Sequence, residues 1–234
     1  MLLVRADLHT GWMVYNRNTH VNLLLLAMIP AVVQKKRLGR PPAVDNPRKR
    51  TLDQAAKLFA EKGYETSSLK QLAASMDVSK AAVYHYFQTK QQLYDAIILD
   101  TLAGLAKTVT EEVAEETLPV ARLKRFMTAH ARYFEAHRNG FIVMLVGFSG
   151  MDSREFRDEA MTLRDAHEQL LRRIIAEGVE SHDFREVDVV MTGRAVLSLL
   201  NWMVRWFKPG GGCTAEELVI EYFNLFLNGL EHHR

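Results

Sequence analysis

The sequence predicts an all-α protein, and three observations carry that prediction. From Thr51 onward apolar residues recur at i, i+3, i+4 and i+7, the spacing of one buried helix face. Serines and threonines stand just ahead of several of these stripes, where a helix needs a side-chain cap. No stretch alternates apolar and polar residues as a half-buried strand would. With 234 residues and 48% hydrophobic composition, the chain can bury a substantial core in one large or two modest domains.

Residues 1–42 read as a flexible N-terminal extension. "MLLVRADLHTGWMVYNRNTH" holds no sustained period, and the prolines and glycine of "RLGRPPAVDNP" disfavour helix. The run from Gln34 to Arg50 carries Lys35, Lys36, Arg37, Arg40, Arg48, Lys49 and Arg50 against Asp45 alone. Such a cluster is either a solvated basic arm or a phosphate-binding patch. The apolar run Val21–Val33 contains Asn22 and Pro30 and falls short of the roughly 20 residues that a membrane span needs. Its dense cation cluster follows rather than precedes it, unlike a secretory signal, so a cytoplasmic protein without membrane attachment is expected. Cys213 is the one cysteine, which excludes an intrachain disulfide and a cysteine-rich metal site.

Residues 43–92 are expected to form a three-helix domain. Leu52, Ala55, Ala56 and Phe59 give the first helix its inner face, and Gly63 can take the positive φ that stops it. Ser68 and Gln71 have capping-box spacing at the start of the second helix, whose stripe is Leu69, Leu72, Ala73 and Met76. After the break "MDVS", Ser79 caps a short third helix, completing a helix-turn-helix pattern. Residues 93–234 form a larger helical region of about six segments. Breaks are expected near Pro119, at Asn139–Gly140, at Ser149–Gly150, from Glu180 to Phe184 and from Lys208 to Gly212.

The stretch "SKAAVYHYFQTKQQLYDAI" then points to a partner. With Ser79 at the cap, Val83 and Phe87 turn inward, flanked by Tyr86, and Lys80, Ala81, Tyr84 and His85 are left on the outer, leading side. In a helix-turn-helix the second helix of the pair enters the major groove with its N-terminal residues first. Small residues at Ala81 and Ala82 let the backbone approach, while Lys80 and Tyr84 can reach phosphates or base edges. Lys90 falls at the start of the next helix, where backbone N–H groups favour a phosphate. Each residue alone is ordinary on an exposed face; together with the cap, turn and basic run they indicate double-stranded DNA.

The stretch from Arg50 to Ile97, with its "GYETSS", "VSKAAVYHYF" and "TKQQL" elements, resembles the DNA-binding region of the TetR/AcrR family of bacterial transcriptional regulators. The resemblance implies a homodimer on a palindromic operator, acting as a repressor released by a small molecule. By position it assigns DNA contacts to Ser68, Lys80, Ala81, Tyr84, His85, Tyr86 and Lys90. One departure stands in the turn, where many members have glycine and this chain has Asp77; aspartate tolerates the left-handed conformation better than most residues. "KKRLGRPP" is similar to the basic arm of many members.

In the larger region two stretches differ from plain helix. "GFIVMLVGFSGM" concentrates Phe141, Met144, Leu145 and Phe148, a stripe that serves either as core or as the wall of an apolar pocket. The stretch from Leu197 to Leu230 reads as a helical hairpin around a glycine-rich turn, its second helix beginning at Thr214. The apolar residues Leu218, Tyr222, Leu225, Phe226 and Leu230 there are either core or a self-association face; the resemblance implies the dimer interface. "NWMVRWFKPGG" is similar to TetR-like regulators that sense acyl-CoA thioesters. That similarity places Trp202 and Arg205 near the effector, with Arg205 facing a phosphate or carboxylate. Otherwise the tryptophans are interface residues and Arg205 is salt-bridged.

No enzyme is expected. His167-Glu168 begins like a zinc-protease helix, but Leu171 stands where the second histidine belongs, and His130 and His137 have no evident third ligand. No cofactor is called for by any glycine-rich phosphate loop or nucleophile motif. The competing reading is a DNA-binding protein without a small-molecule effector.

Overall fold

The computed structural model describes residues 46–147, 151 and 154–229, and among them every regular element is helical. The extension 1–42 with Lys35, Lys36, Arg37 and Arg40, the Ser149–Gly150 break, Phe148 and Leu230 lie outside the described residues. Helix α1 spans Pro47–Lys62 and so begins ahead of Thr51. The reason is local: Asn46 accepts hydrogen bonds from the Arg48 and Lys49 amides at 3.1 and 3.3 Å. Pro47 sits at the first helical position, where its missing N–H costs nothing. Leu52, Ala55, Ala56 and Phe59 are buried as expected, and Gly63 ends the helix at φ 83°.

Helix α2 (Leu69–Ser75) opens with the Ser68–Gln71 capping box, and α3 (Lys80–Tyr86) opens on Ser79, whose hydroxyl accepts from the Ala82 amide. Between them Asp77 takes φ 54°, the conformation that the turn requires. Thr89 caps α4 (Lys90–Val113), which runs across the boundary expected at residues 92–93 and packs on α1, α5, α6 and α7. The remaining helices are α5 (Pro119–Ala136), α6 (Arg138–Gly147), α7 (Arg154–Glu180), α8 (Val189–Trp202) and α9 (Ala215–Asn228). The break expected at Asn139–Gly140 instead falls at His137, and both residues lie inside α6. Gly140 is a packing residue there: a Cβ would run into the Thr101 side chain of α4.

Helices α8 and α9 follow one another around the glycine-rich turn but do not pack together as the expected hairpin: α8 lies chiefly against α7 and α9 against α5. Helix α9 opens on a capping box between Thr214 and Glu217, with the exposed Cys213 just ahead of it. Ala215, Val219 and Phe223 turn toward α5, while Leu225 is exposed and Leu218, Tyr222 and Phe226 are half-buried at the edge of the core. Near the end of α7, Gly178 lies against the Phe184 ring so closely that a Cβ would overlap it. Gly178→Ala should therefore cost about 1–3 kcal/mol, seen as a lower urea midpoint without change in helix content.

Candidate DNA-binding surface and effector region

Helices α2 and α3 are held to the core by one side only. Val83 and Phe87 are buried with Leu72, whereas Lys80, Ala81, Tyr84, His85 and Tyr86 are exposed. Tyr86, expected to flank the inward residues, is as open as Tyr84. The Lys80 ammonium lies 5.0 Å from the centre of the Tyr84 ring, so the two side chains are ordered together on the outer face. The His85 and Tyr86 rings meet edge to face at 5.0 Å. Ser68 is exposed at the head of α2, its hydroxyl committed to the cap.

Lys90 behaves differently from its neighbours. It is half-buried, donates to the Tyr64 carbonyl at 2.8 Å and lies 4.0 Å from the centre of the Tyr64 ring. Its charge is folded back against the loop after α1 rather than extended outward. Arg48, in contrast, is exposed and brings its guanidinium 5.3 Å over the Phe87 ring, placing a cation of α1 beside the end of α3. That placement joins residues far apart in the chain, and only the membership of Arg48 in the basic run hinted at it.

Behind this surface a cleft of about 500 Å³ opens between α1, α4, α5 and α6, lined among others by Lys49, Asp53, Asp100, Tyr133, His137 and Arg138. Lys49 bridges α1 to α4, its ammonium 2.9 Å from Asp53 and 2.7 Å from Asp100. Burial pulls that ammonium down, but the hydrogen bonds to Asp100 and Asp53 outweigh it and hold Lys49 above its ordinary value. Burial, with Asp100 nearby, pushes the Tyr133 phenol up to about 12.

The four residues expected around an effector do not line this cleft; Phe141 and Met144 share α6, which packs against the short turn Met203–Arg205, and Trp202 and Arg205 meet each other. Phe141 and Met144 are buried in the core, Phe141 against His130, Tyr133 and Phe134. Trp202 is 61% exposed at the end of α8, and Arg205 stacks on its ring at 5.3 Å.

The histidines sort themselves in a way that spacing did not show. His137 stacks on Tyr133, while His130 of α5 meets His167 of α7, Nδ1 to Nε2 at 3.3 Å, both buried. Among the described residues no group of three or more histidine, cysteine or carboxylate side chains is placed to hold a metal ion. Nor is any described helix long and apolar enough to cross a membrane. Burial, and for His130 also its histidine neighbour, keeps both rings neutral, with His167 lowered to about 4. As pH falls from about 6.5 toward 4, the unfolded chain takes up protons that the folded pair refuses. Stability should then drop by up to about 1.4 kcal/mol per pH unit for each ring. Urea midpoints across that window should show the loss, and His167→Leu should flatten it.

Two family models match the chain: "Bacterial regulatory proteins, tetR family" over residues 52–97 and "Tetracyclin repressor-like, C-terminal domain" over residues 116–230. The HTH-type transcriptional repressor KstR2 of Rhodococcus jostii is 26% identical over 196 residues, covering 81% of this chain and 96% of KstR2. Among solved structures, the TetR family transcriptional regulator PfmR from Thermus thermophilus aligns with a TM-score of 0.74 and 49% identity. That alignment covers 78% of this chain and all of PfmR. AibR, solved in complex with isovaleryl coenzyme A and operator DNA, aligns with a TM-score of 0.68 at 23% identity, over 77% of this chain and 97% of AibR.

Proposed function

This chain belongs to the TetR family of bacterial regulatory proteins, and on that premise we propose that it is a cytoplasmic repressor, binding a palindromic operator as a homodimer and released by an acyl-CoA thioester. The observation that carries the reading is the outer face of α3, where Lys80 and Tyr84 stand exposed as an ordered pair while Val83 and Phe87 fix the helix from behind. Residues 43–92 supply the DNA contacts: Ser68, Lys80, Ala81, Tyr84, His85 and Tyr86, with Lys90 set back and Arg48 added at the end of α3. Residues 93–234 hold the effector and pair the two copies.

Several features support the finer parts of this reading. The segment from α8 to α9 carries Trp202, Trp206, Leu225 and Leu227 exposed, apolar surface suited to a second copy of itself. Repressors related to this chain carry the name KstR2, and AibR shares the fold while binding both an acyl-CoA and DNA. Phe141 and Met144 lie in the apolar core on α6, which packs against the turn that carries Arg205, and the exposed Arg205 suits a phosphate at the protein surface.

Release follows from linkage. The two recognition helices must sit about 34–36 Å apart to enter successive major grooves. An effector that prefers another spacing weakens DNA binding by the factor by which DNA weakens its own. Helix α4 transmits the change, because it packs on the effector-side helices and is tied to α1 through Asp100 and Lys49. Asp100→Asn should leave operator and effector binding largely intact yet shrink their mutual effect by about 2- to 30-fold, read from operator titrations with and without effector.

Gel-shift titration on the protein's own upstream DNA, alone and with isovaleryl-CoA and longer acyl-CoAs, tests the whole. A specific complex that an acyl-CoA dissolves is expected. A complex indifferent to every acyl-CoA would leave a DNA-binding protein without this effector, and no complex at low ionic strength would remove the DNA-binding reading.

A further inference from the structure

The His130–His167 contact has an unfinished hydrogen-bond pattern. Each ring uses one nitrogen toward the other, and the outer nitrogens, His130 Nε2 and His167 Nδ1, are buried with no hydrogen-bond partner among the described residues. A neutral imidazole carries one N–H and one lone pair. Whichever ring donates the shared proton, the pair is left with one unmet donor and one unmet acceptor. The surroundings offer them nothing, since the rings rest on Phe126 and Phe141. Two such groups make this core less stable than an all-apolar one of similar volume.

The neighbouring packing shows where a ligand group could arrive. Phe141 touches both His130 and, one turn further along α5, Tyr133, which lines the cleft between α1, α4, α5 and α6. Met127 lies one turn before His130 on α5, and Met144 one turn after Phe141 on α6; both are buried. Unbranched methionines repack more readily than other core side chains.

We propose that the His130–His167 pair is the polar anchor of the effector site, taking by a hydrogen bond an uncharged carbonyl or hydroxyl on an otherwise apolar ligand. The pair has two neutral tautomer arrangements, in which either ring donates the shared hydrogen bond and the other ring carries the outer N–H, so the outer nitrogen that meets the ligand can donate to a carbonyl or accept from a hydroxyl. A carboxylate or ammonium is disfavoured, because its charge would be stranded in an apolar site. A thioester carbonyl on an acyl chain fits this description. The inference rests on the effector role proposed for residues 93–234 and deepens it.

Matched ligand pairs test it on the full-length protein. Isovaleryl-CoA should bind about tenfold more tightly than its thioether analogue, S-isopentyl-CoA, which lacks only the carbonyl. Phenol should likewise exceed toluene, both read by calorimetry or thermal shift. H130L/H167L should erase both differences while keeping or raising the apoprotein's urea midpoint. His167→Gln should retain part of them. Imidazole 15N shifts, measured in the unaltered protein, should move with the thioester and not with the thioether, so the result does not depend on a variant folding. A phenol preference without any CoA binding would uphold the anchor and remove the acyl-CoA reading. Equal binding of thioester and thioether would keep the acyl-CoA reading and overturn the anchor. Absence of a difference in both pairs, or shifts showing both outer nitrogens already hydrogen-bonded without ligand, also overturns it.

Discussion

Tyr84→Ala should weaken operator binding by about 10- to 100-fold, the effect of losing one well-placed contact worth about 1–3 kcal/mol. The size follows from what the ring does twice. It is exposed on the leading face of α3, and it holds the Lys80 ammonium 5.0 Å from its centre. Removing it deletes one contact and frees a second side chain, whose ordering must then be supplied on binding. Tyr84→Phe separates the two roles, since it keeps the ring beneath Lys80 and loses only the hydroxyl. Fluorescence anisotropy on a labelled operator gives the affinities, and sedimentation checks that self-association is unchanged. Affinity that survives Tyr84→Ala would mean that α3 does not lead into the groove.

Phe126→Ala should destabilise the fold by about 3–5 kcal/mol, a change that few domains of this size tolerate comfortably. Phe126 is fully buried on α5 and packs its ring 4.7 Å from His167 on α7. The loss has two sources: the apolar contact area that the truncated side chain no longer buries, and a void beside a histidine pair whose outer nitrogens already lack hydrogen-bond partners. Chemical denaturation would measure it. Phe126→Leu, closer in volume, should recover more than half of the loss.

Much of the fold could be read from the sequence because it is written locally. The caps at Ser68, Ser79 and Thr214 depend on side chains reaching amides two or three residues ahead, and each forms as its spacing implied. Asp77 in the turn and Gly63 after α1 are likewise properties of single residues. The inward pair Val83 and Phe87 followed from helical period alone.

The misreadings have one origin, in residues whose role is set by their surroundings. Pro47 reads as a helix breaker until Asn46 is seen to cap the helix that it begins. Gly140 reads as a break but serves close packing against Thr101. Lys90 is turned aside by Tyr64, across a loop. Nothing in the spacing of His130 and His167 announces that α5 and α7 will press them together, and the cleft behind α1 is assembled from four helices. Trp202, counted with the pocket by similarity, is left outside because α8 ends there and the chain turns away.

The solitary exposed thiol between α8 and α9, Cys213, has a practical consequence. A maleimide spin label would attach at one position per protomer, with no engineered mutations. Dipolar spectroscopy on the labelled protein would then report directly whether two copies bring these segments side by side, and whether an added metabolite or duplex alters their separation.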